Sequence, residues 1–330
     1  MSGGAPVTLG QRLRVNALSA GSWLVCRLPE RPLIGLADLA GDVWYRTAPG
    51  RAGQARRNLG RVVGFLEATG RGPAAARSAA HDPRALERLV RRAFRHAARY
   101  YLEVARTPAL DRRYLDERIL LETPDLIDEA FTPGRAVIFV GLHFGSVELP
   151  GLFLASRVGG AVTPMETLAD PALQAWFVRT RGAAGIKIVG LTEARREISA
   201  ALSKGISVGM IGDRDLTGGG TLVELFGAPA RLPLGPALLA VESGVPVYAM
   251  GLRRAGPGRY RGRLATIEVP ADGTRRERVT ATTIAIARAF ERIVEDAPEQ
   301  WWATFFPIWP DLEAAAGGRW ESAGPSDRVA

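Results

Sequence analysis

The run Val137-Ile138-Phe139-Val140-Gly141-Leu142-His143-Phe144-Gly145-Ser146-Val147-Glu148 decides the reading of this chain. Its first six residues carry no polar side chain and show no helical period. They follow the Pro133-Gly134 turn, so they read as a strand buried on both faces, as in a parallel sheet. His143 comes directly after this strand, and residues 147–156 read as a helix. A polar residue between a buried strand and the next helix lies where α/β sheets bind their ligands, at the carboxyl end of the strands.

The same texture continues downstream. Residues 161–165, 186–189, 206–211, 222–226, 245–251 and 260–269 read as strands. Helices are expected over 170–181, 192–204 and 279–296, and from Leu234-Gly235-Pro236 to Gly244. This alternation argues an α/β fold: a mainly parallel central sheet flanked by helices. Upstream, residues 1–115 read as a helical, arginine-rich region. Helical segments are expected over 8–28 and 33–45, with loops at Pro49-Gly50-Arg51 and over 71–81. The clearest helix opens with Asp82 as N-cap and Pro83 at its first position. Leu86, Leu89, Val90, Ala93, Phe94, Ala97, Tyr101 and Val104 then repeat at three and four, giving one buried face. The expected organisation is a surface region over 1–115, an α/β core over 116–312 and a disordered tail over 313–330, in one integrated domain.

Composition limits the function classes. The 330 residues carry a formal charge of +9, and all but two of the 43 basic residues are arginine, Lys187 and Lys204 being the exceptions. Such a surface suits polyanions: nucleic acid, anionic head groups or a phosphorylated cofactor. Cys26 is the single cysteine, so an intramolecular disulfide and a multi-cysteine metal site are excluded. No stretch approaches the ~18–20 uncharged apolar residues of a spanning helix. The expectation is a protein of the cytoplasm or of the cytoplasmic face of the membrane, attached peripherally.

Of three histidines, His81 precedes a helix cap and His96 lies inside the arginine-rich helix. His143 alone sits at a strand end. Glu148, five residues on, falls in the first turn of the next helix, from which its carboxylate is expected to reach the imidazole and fix its tautomer. The blander reading is a capped histidine, with Glu148 merely favouring the helix N-terminus. Ser146 lies between them, but no G-x-S-x-G elbow surrounds it. Asp213-Arg214-Asp215 follows another buried strand and is expensive to bury unless paired or used. Asp213 and Arg214 pair with each other, or with Arg231, in the plainer reading. Glu224 faces solvent or a site. Arg231 precedes a helix whose free amides form an anion site. Glu166 follows a strand, and Arg179 and Arg181 close the next helix. The segment with Trp301, Trp302, Phe305, Phe306 and Trp309 reads mostly as core, with an interfacial anchor as the alternative.

Taken in order, the His-x-x-x-x-Glu at a strand end, a Glu followed by Arg-x-Arg, Asp-Arg-Asp after a strand, Phe-Gly-x-x-Ala-x-x-x-x-Gly and a closing Trp-Trp resemble the bacterial late acyltransferases of lipid A synthesis and their relatives. The arginine-rich start, with Arg56-Arg57-Asn58-Leu59, resembles the branch that acylates phosphatidylinositol mannosides. The resemblance runs over about residues 8–310 and implies a glycerophosphate-acyltransferase-like core. It also implies acyl-CoA as donor substrate, with no bound cofactor and no metal, although an arginine-rich surface suits an acyl carrier protein equally. The implied acceptor is an anionic glycophospholipid at the inner membrane surface. His143 is then the general base and Glu148 its partner. Glu166, Arg179, Arg181, Asp213, Arg214, Glu224 and Arg231 are expected to shape the substrate site. Basic amphipathic helices suit such a surface, each arginine adding roughly 1 kcal/mol near anionic lipid, with Trp23, Trp44 and Tyr45 as interface candidates. A non-catalytic lipid-binding protein is the rival reading. Nucleic-acid binding lacks any recognisable motif.

Overall fold

The computed structural model describes residues 8–315, apart from 133, 159 and 217. The chain opens with α1 (Leu9–Val25), α2 (Glu30–Thr47), α3 (Pro49–Thr69), α4 (Ala74–Arg77), α5 (Pro83–Arg106) and α6 (Arg112–Arg118). Local chemistry sets their starts. Thr8 and Gln11 form a capping box on α1, and Asp82 accepts the Arg84 amide ahead of Pro83 on α5. The Pro-Gly-Arg segment expected to be a loop is instead the first turn of α3, because proline at the first helical position loses no hydrogen bond. The loop expected over 71–81 likewise contains α4 and a 3-10 turn.

The strands then alternate with helices: β1 (Ile119–Leu121), α7 (Pro124–Ala130), β2 (Ile138–Gly145), α8 (Glu148–Val158), β3 (Ala161–Met165), α9 (Pro171–Ala183), β4 (Ile186–Gly190), α10 (Ala194–Leu202) and β5 (Val208–Ile211). After them come β6 (Thr221–Leu225), β7 (Ala228–Leu232), α11 (Gly235–Ser243), β8 (Val247–Gly256), β9 (Arg259–Ile267), α12 (Arg275–Val294) and α13 (Pro310–Ala315). Seven strands form one sheet in the order β1-β9-β8-β2-β5-β3-β4. Every pairing in it is parallel except β8 with β9, as the sequence pattern led us to expect of an α/β fold.

β2 is central, between β5 and β8. Its side chains alternate between two apolar layers. Ile138, Val140, Leu142 and Phe144 join the layer with Met210, Ala237 and Phe290, while Val137 and Phe139 join Leu149, Leu152 and Tyr248. Burial on both faces explains why the strand shows no hydrophobic alternation. A third cluster joins α3 and α5 to Phe305 and Phe306, and Trp44 and Tyr45 of α2 pack on the Phe94 ring within it. Those two aromatics are therefore committed to packing, whereas Trp23 stays 58% exposed.

Residues 228–232, read as the approach to a helix, form β7, paired antiparallel with β6 in a separate hairpin. Phe226 and Gly227 make its turn with φ of 49° and 73°, the positive values a two-residue hairpin turn requires.

Candidate active site

The register of the central strands builds the site. Gly141 of β2 lies beside Ile211 of β5, and the amide of Gly212 donates to the Gly141 carbonyl at 2.9 Å. Two residues further along each chain are His143 and Asp213, which therefore meet side by side at the carboxyl end of the sheet. The His143 backbone N–H donates to Asp213 Oδ2 at 2.9 Å, and His143 Nδ1 lies 2.7 Å from Asp213 Oδ1. A side-chain carboxylate thus takes over the ladder where the strands part. The Trp301 indole N–H donates to Oδ2 as well, at 2.9 Å. Phe144 and Trp301 form an isolated antiparallel bridge that brings the aromatic C-terminal segment against β2.

Asp213 has no exposed side-chain surface, whereas the His143 side chain retains 20%. Burial alone would raise the Asp213 carboxyl. The imidazole, the Trp301 N–H and the His143 amide outweigh it and hold the group below its ordinary value. An ionised Asp213 accepts a hydrogen bond from Nδ1–H, so the lone pair of the neutral ring sits on Nε2.

The expected His143–Glu148 pair is therefore replaced by His143–Asp213. Glu148 starts α8 and is buried, but its carboxylate is held by Arg181 of α9. Arg181 Nη2 lies 2.5 Å from Oε1 and Nε 3.1 Å from Oε2, a two-pronged contact. Arg181 also donates to Met165 Sδ at 3.0 Å. Burial pulls the guanidinium down, but the Glu148 charge and hydrogen bonds more than offset this, so it stays charged. The short loop after β2 gives Glu148 a near-sequence position, yet Asp213 has the register.

The other singled-out residues divide. Arg214, next to Asp213, lies over the Phe306 ring at 3.6 Å. Arg231 donates to the Gly220 carbonyl at 2.8 Å from within β7, not from a helix approach. Glu224 is on the exposed face of β6, between buried Val223 and Leu225. Arg179 is exposed on α9, and Glu166 is half-buried just past β3. Asp215 accepts the amides of Gly218 and Gly220 and so shapes its loop.

Trp301 and Trp302, expected as core or as an interfacial anchor, both reach the site. Trp301 is core and carboxylate anchor at once. The half-exposed Trp302 ring lies 5.3 Å from the His143 ring, and Tyr100 of α5 lies 5.7 Å from Trp302. Their signal was the Trp-Trp pair, which periodicity alone cannot separate from ordinary core.

The sequence profile of the family described as bacterial lipid A biosynthesis acyltransferase matches residues 11–304. The chain is also similar to phosphatidylinositol mannoside acyltransferase of Mycolicibacterium smegmatis, 29% identical over 299 residues that cover 89% of this chain and 91% of that protein. The protein of the same name from Mycobacterium tuberculosis H37Rv is 29% identical over 293 residues, 86% of this chain and 84% of that protein. With a family match over nearly the whole described chain, and a histidine–carboxylate pair at the ligand-binding end of its sheet, this chain belongs to the bacterial lipid A biosynthesis acyltransferase family.

Proposed function

We propose that the protein transfers a fatty acyl group from acyl-CoA to a mannose hydroxyl of a phosphatidylinositol mannoside, at the cytoplasmic face of the membrane. The observation that carries the reading is the His143–Asp213 contact of 2.7 Å at the carboxyl end of the central parallel strands. With Nδ1–H fixed on Asp213, Nε2 takes the proton of the attacking sugar hydroxyl as its oxygen bonds to the thioester carbonyl carbon. Asp213 stabilises the imidazolium that forms. The tetrahedral intermediate then expels the thiolate, which takes the proton back from Nε2. The products are the ester and the free thiol, with no covalent acyl-enzyme. The Glu148–Arg181 pair holds the start of α8 to α9 beside this centre. The acceptor and donor classes come from the names of the relatives and the resemblance in sequence order.

Location rests on α1 and α2. No described helix is long and apolar enough to cross a membrane. Leu9, Leu13, Trp23 and Leu24 of α1, and Leu36, Leu39 and Val43 of α2, are exposed although large and apolar. Arg12, Arg14, Arg31 and Arg46 lie along the same helices. Apolar side chains beside arginines suit an anionic lipid surface.

The test is thiol release from palmitoyl-CoA with and without a mannosylated phosphatidylinositol, in wild type and His143→Ala. Acceptor-dependent release that the substitution abolishes supports the reading. Equal release by both proteins, or acceptor-dependent release only from an acyl carrier protein thioester, overturns the base or the donor respectively.

A further inference from the structure

Of the indoles at 301, 302 and 309, two have a protein acceptor and one does not. The Trp301 N–H donates to Asp213, and the Trp309 N–H to the Leu225 carbonyl at 3.0 Å. The Trp302 indole nitrogen is buried and meets no hydrogen-bond partner among the described residues. His96 of α5 is in the same position, since its Nδ1 is buried and without a partner among them. A buried polar atom left alone costs about 1–3 kcal/mol, so two such atoms side by side require a reason. Burial first, and then the charges of Arg254, Arg99 and Arg92, hold the His96 ring well below its ordinary pKa and so keep it neutral. A neutral imidazole with its proton on Nε2 presents Nδ1 as an acceptor.

Both side chains line one small cavity beside the site, together with Tyr100, Gly145, Glu299 and Gln300. His96 and Tyr100 reach it from one face of α5, a turn apart, and Gly145 from the end of β2, just past His143. The space in it that a water molecule can occupy is about 10 Å³, which is room for one. One water suits both atoms, because its oxygen accepts the Trp302 N–H while one of its hydrogens goes to Nδ1. Gln300 is spent on the backbone of Arg254, through both its oxygen and its nitrogen. Glu299, whose carboxylate lies 3.4 Å from Arg92, is the carboxylate on the wall for the second hydrogen.

We infer that His96 and Trp302 share one bound water, which donates to Nδ1 and accepts the indole N–H, and that this bridge makes His96 a positioning residue for Trp302 and through it for His143. The effect on turnover deepens the acyltransferase reading and rests on it, whereas the water itself does not. The Trp302 ring lies 5.3 Å from the His143 ring, tilted by 48°. Tyr100 and Phe306 pack on Trp302 at 5.7 and 5.3 Å. Such ring contacts are far less directional than a hydrogen bond, so the N–H anchor is what fixes the orientation of the indole. Asp213 holds His143 at Nδ1, and Trp302 walls the ring from the side. A Trp302 that drifts lets the imidazole tilt off the line from Nε2 to the sugar hydroxyl. The cavity is too small for either substrate, so losing the bridge lowers kcat rather than raising KM.

The experiment has a structural arm and a kinetic arm. The water is read in a high-resolution crystal of the wild type, and in solution by magnetisation transfer from water to the Trp302 indole proton, whose signal is assigned by its loss in Trp302→Phe. A water within hydrogen-bond distance of both Nδ1 and Nε1 supports the bridge. An empty cavity, or a direct His96–Trp302 hydrogen bond, overturns it. Kinetics with palmitoyl-CoA and the mannosylated acceptor compare wild type with His96→Leu, His96→Asn and Trp302→Phe. His96→Leu should lower kcat about tenfold, on the scale of one lost buried hydrogen bond, with both KM values little changed. His96→Asn, whose side-chain oxygen can stand near the place of Nδ1, should recover most of that loss. His96→Leu combined with Trp302→Phe should be no slower than Trp302→Phe alone, because the one bridge is already broken. Additive losses, no recovery in His96→Asn, or an unchanged kcat in His96→Leu overturns the positioning role. Wild type without acceptor-dependent transfer removes the acyltransferase reading and with it the effect on turnover, while the crystal still decides the water.

Discussion

The indole N–H of Trp301 and the backbone N–H of His143 share one acceptor, Oδ2 of Asp213, each at 2.9 Å. Oδ1 is thereby left to the imidazole alone. The carboxylate has little rotational freedom, and the ring it orients inherits that constraint. Trp301 is 1% exposed and also lies against Phe226 and Trp309, so the anchor is set in the core.

From this follows a graded pair of substitutions. Asp213→Asn keeps the shape but cannot hold Nδ1–H as an ionised acceptor, and kcat should fall by roughly 10²–10⁴, as for other histidine orienters. Trp301→Phe removes one of three hydrogen bonds to the carboxylate and should lower kcat by about tenfold. Steady-state kinetics check both, with circular dichroism to confirm folding. Loss in Asp213→Asn of less than about threefold would remove the carboxylate from the mechanism.

The parts of this site differ in how well the sequence announced them. The central strand was legible at 137–142 because burial on both faces leaves an unbroken apolar run. Asp213 was visible as a costly acid at a strand end, and His143 likewise. What joins them is the parallel register of β2 with β5, a contact between segments 70 residues apart. Nothing in the local pattern says which strands are neighbours. Glu148 was the nearer carboxylate in sequence and drew the assignment, whereas Arg181, 33 residues on, has claimed it. The β6–β7 hairpin escaped notice because its turn is Phe226-Gly227 rather than Asn-Gly, and Pro229 weakens the strand signal. Leu86 and Tyr101 of α5 are less buried than their period implied, because that stripe is wider than the face it packs.

Glu148 and Arg181 should behave as a structural pair. Their side chains are 4% and 17% exposed. Glu148→Gln leaves a buried guanidinium without its counter-charge, which costs ~3–5 kcal/mol. The melting temperature should drop on the order of 5–10 °C. Glu148→Gln combined with Arg181→Met should lose less than the sum of the single changes. Calorimetry of the cycle decides it. Unchanged melting with a collapse of kcat would instead make Glu148 a direct partner in the chemistry.

Asp42 gives the pH-dependent case. It receives two-pronged contacts from both Arg91 and Arg95, at 2.5–2.8 Å, and so ties α2 to α5. Those hydrogen bonds, Arg91 first and Arg95 next, hold its carboxyl far below the ordinary value despite burial. A depressed carboxyl contributes stability that is complete above its unfolded pKa of about 3.9 and is lost as pH falls through the folded value. Both arginines are more than a third exposed or nearly so, which limits the contribution of the pair to ~1–2 kcal/mol. Asp42→Asn should therefore destabilise by that amount at pH 7 and by progressively less below about pH 4. Urea unfolding at pH 7 and pH 3 tests it. A difference that grows on acidification would overturn the assignment.

Gly145 carries the most restrictive backbone near the base. It ends β2 with φ of 57°, at the point where the register against β8 shifts between Gly141 and Gly145. A Cβ there would stand 2.0 Å from the Leu252 carbonyl oxygen and 2.9 Å from Arg253 Cα, both backbone atoms that no rotamer change can move. Alanine must push β8 away or change φ, and either displaces the strand end two residues from His143. The left-handed conformation alone costs about 1 kcal/mol for alanine, and the clash adds to it. Gly145→Ala should fold less stably and lose kcat at least tenfold, since catalytic groups tolerate little misplacement. Gly64→Ala, inside α3 with nothing within 4 Å of its added Cβ, should keep wild-type kcat and be as stable as wild type or more so, by about 0.5–1 kcal/mol. If Gly145→Ala matched wild type in melting temperature and kcat, the close approach of β2 to β8 would not be what holds His143 in place.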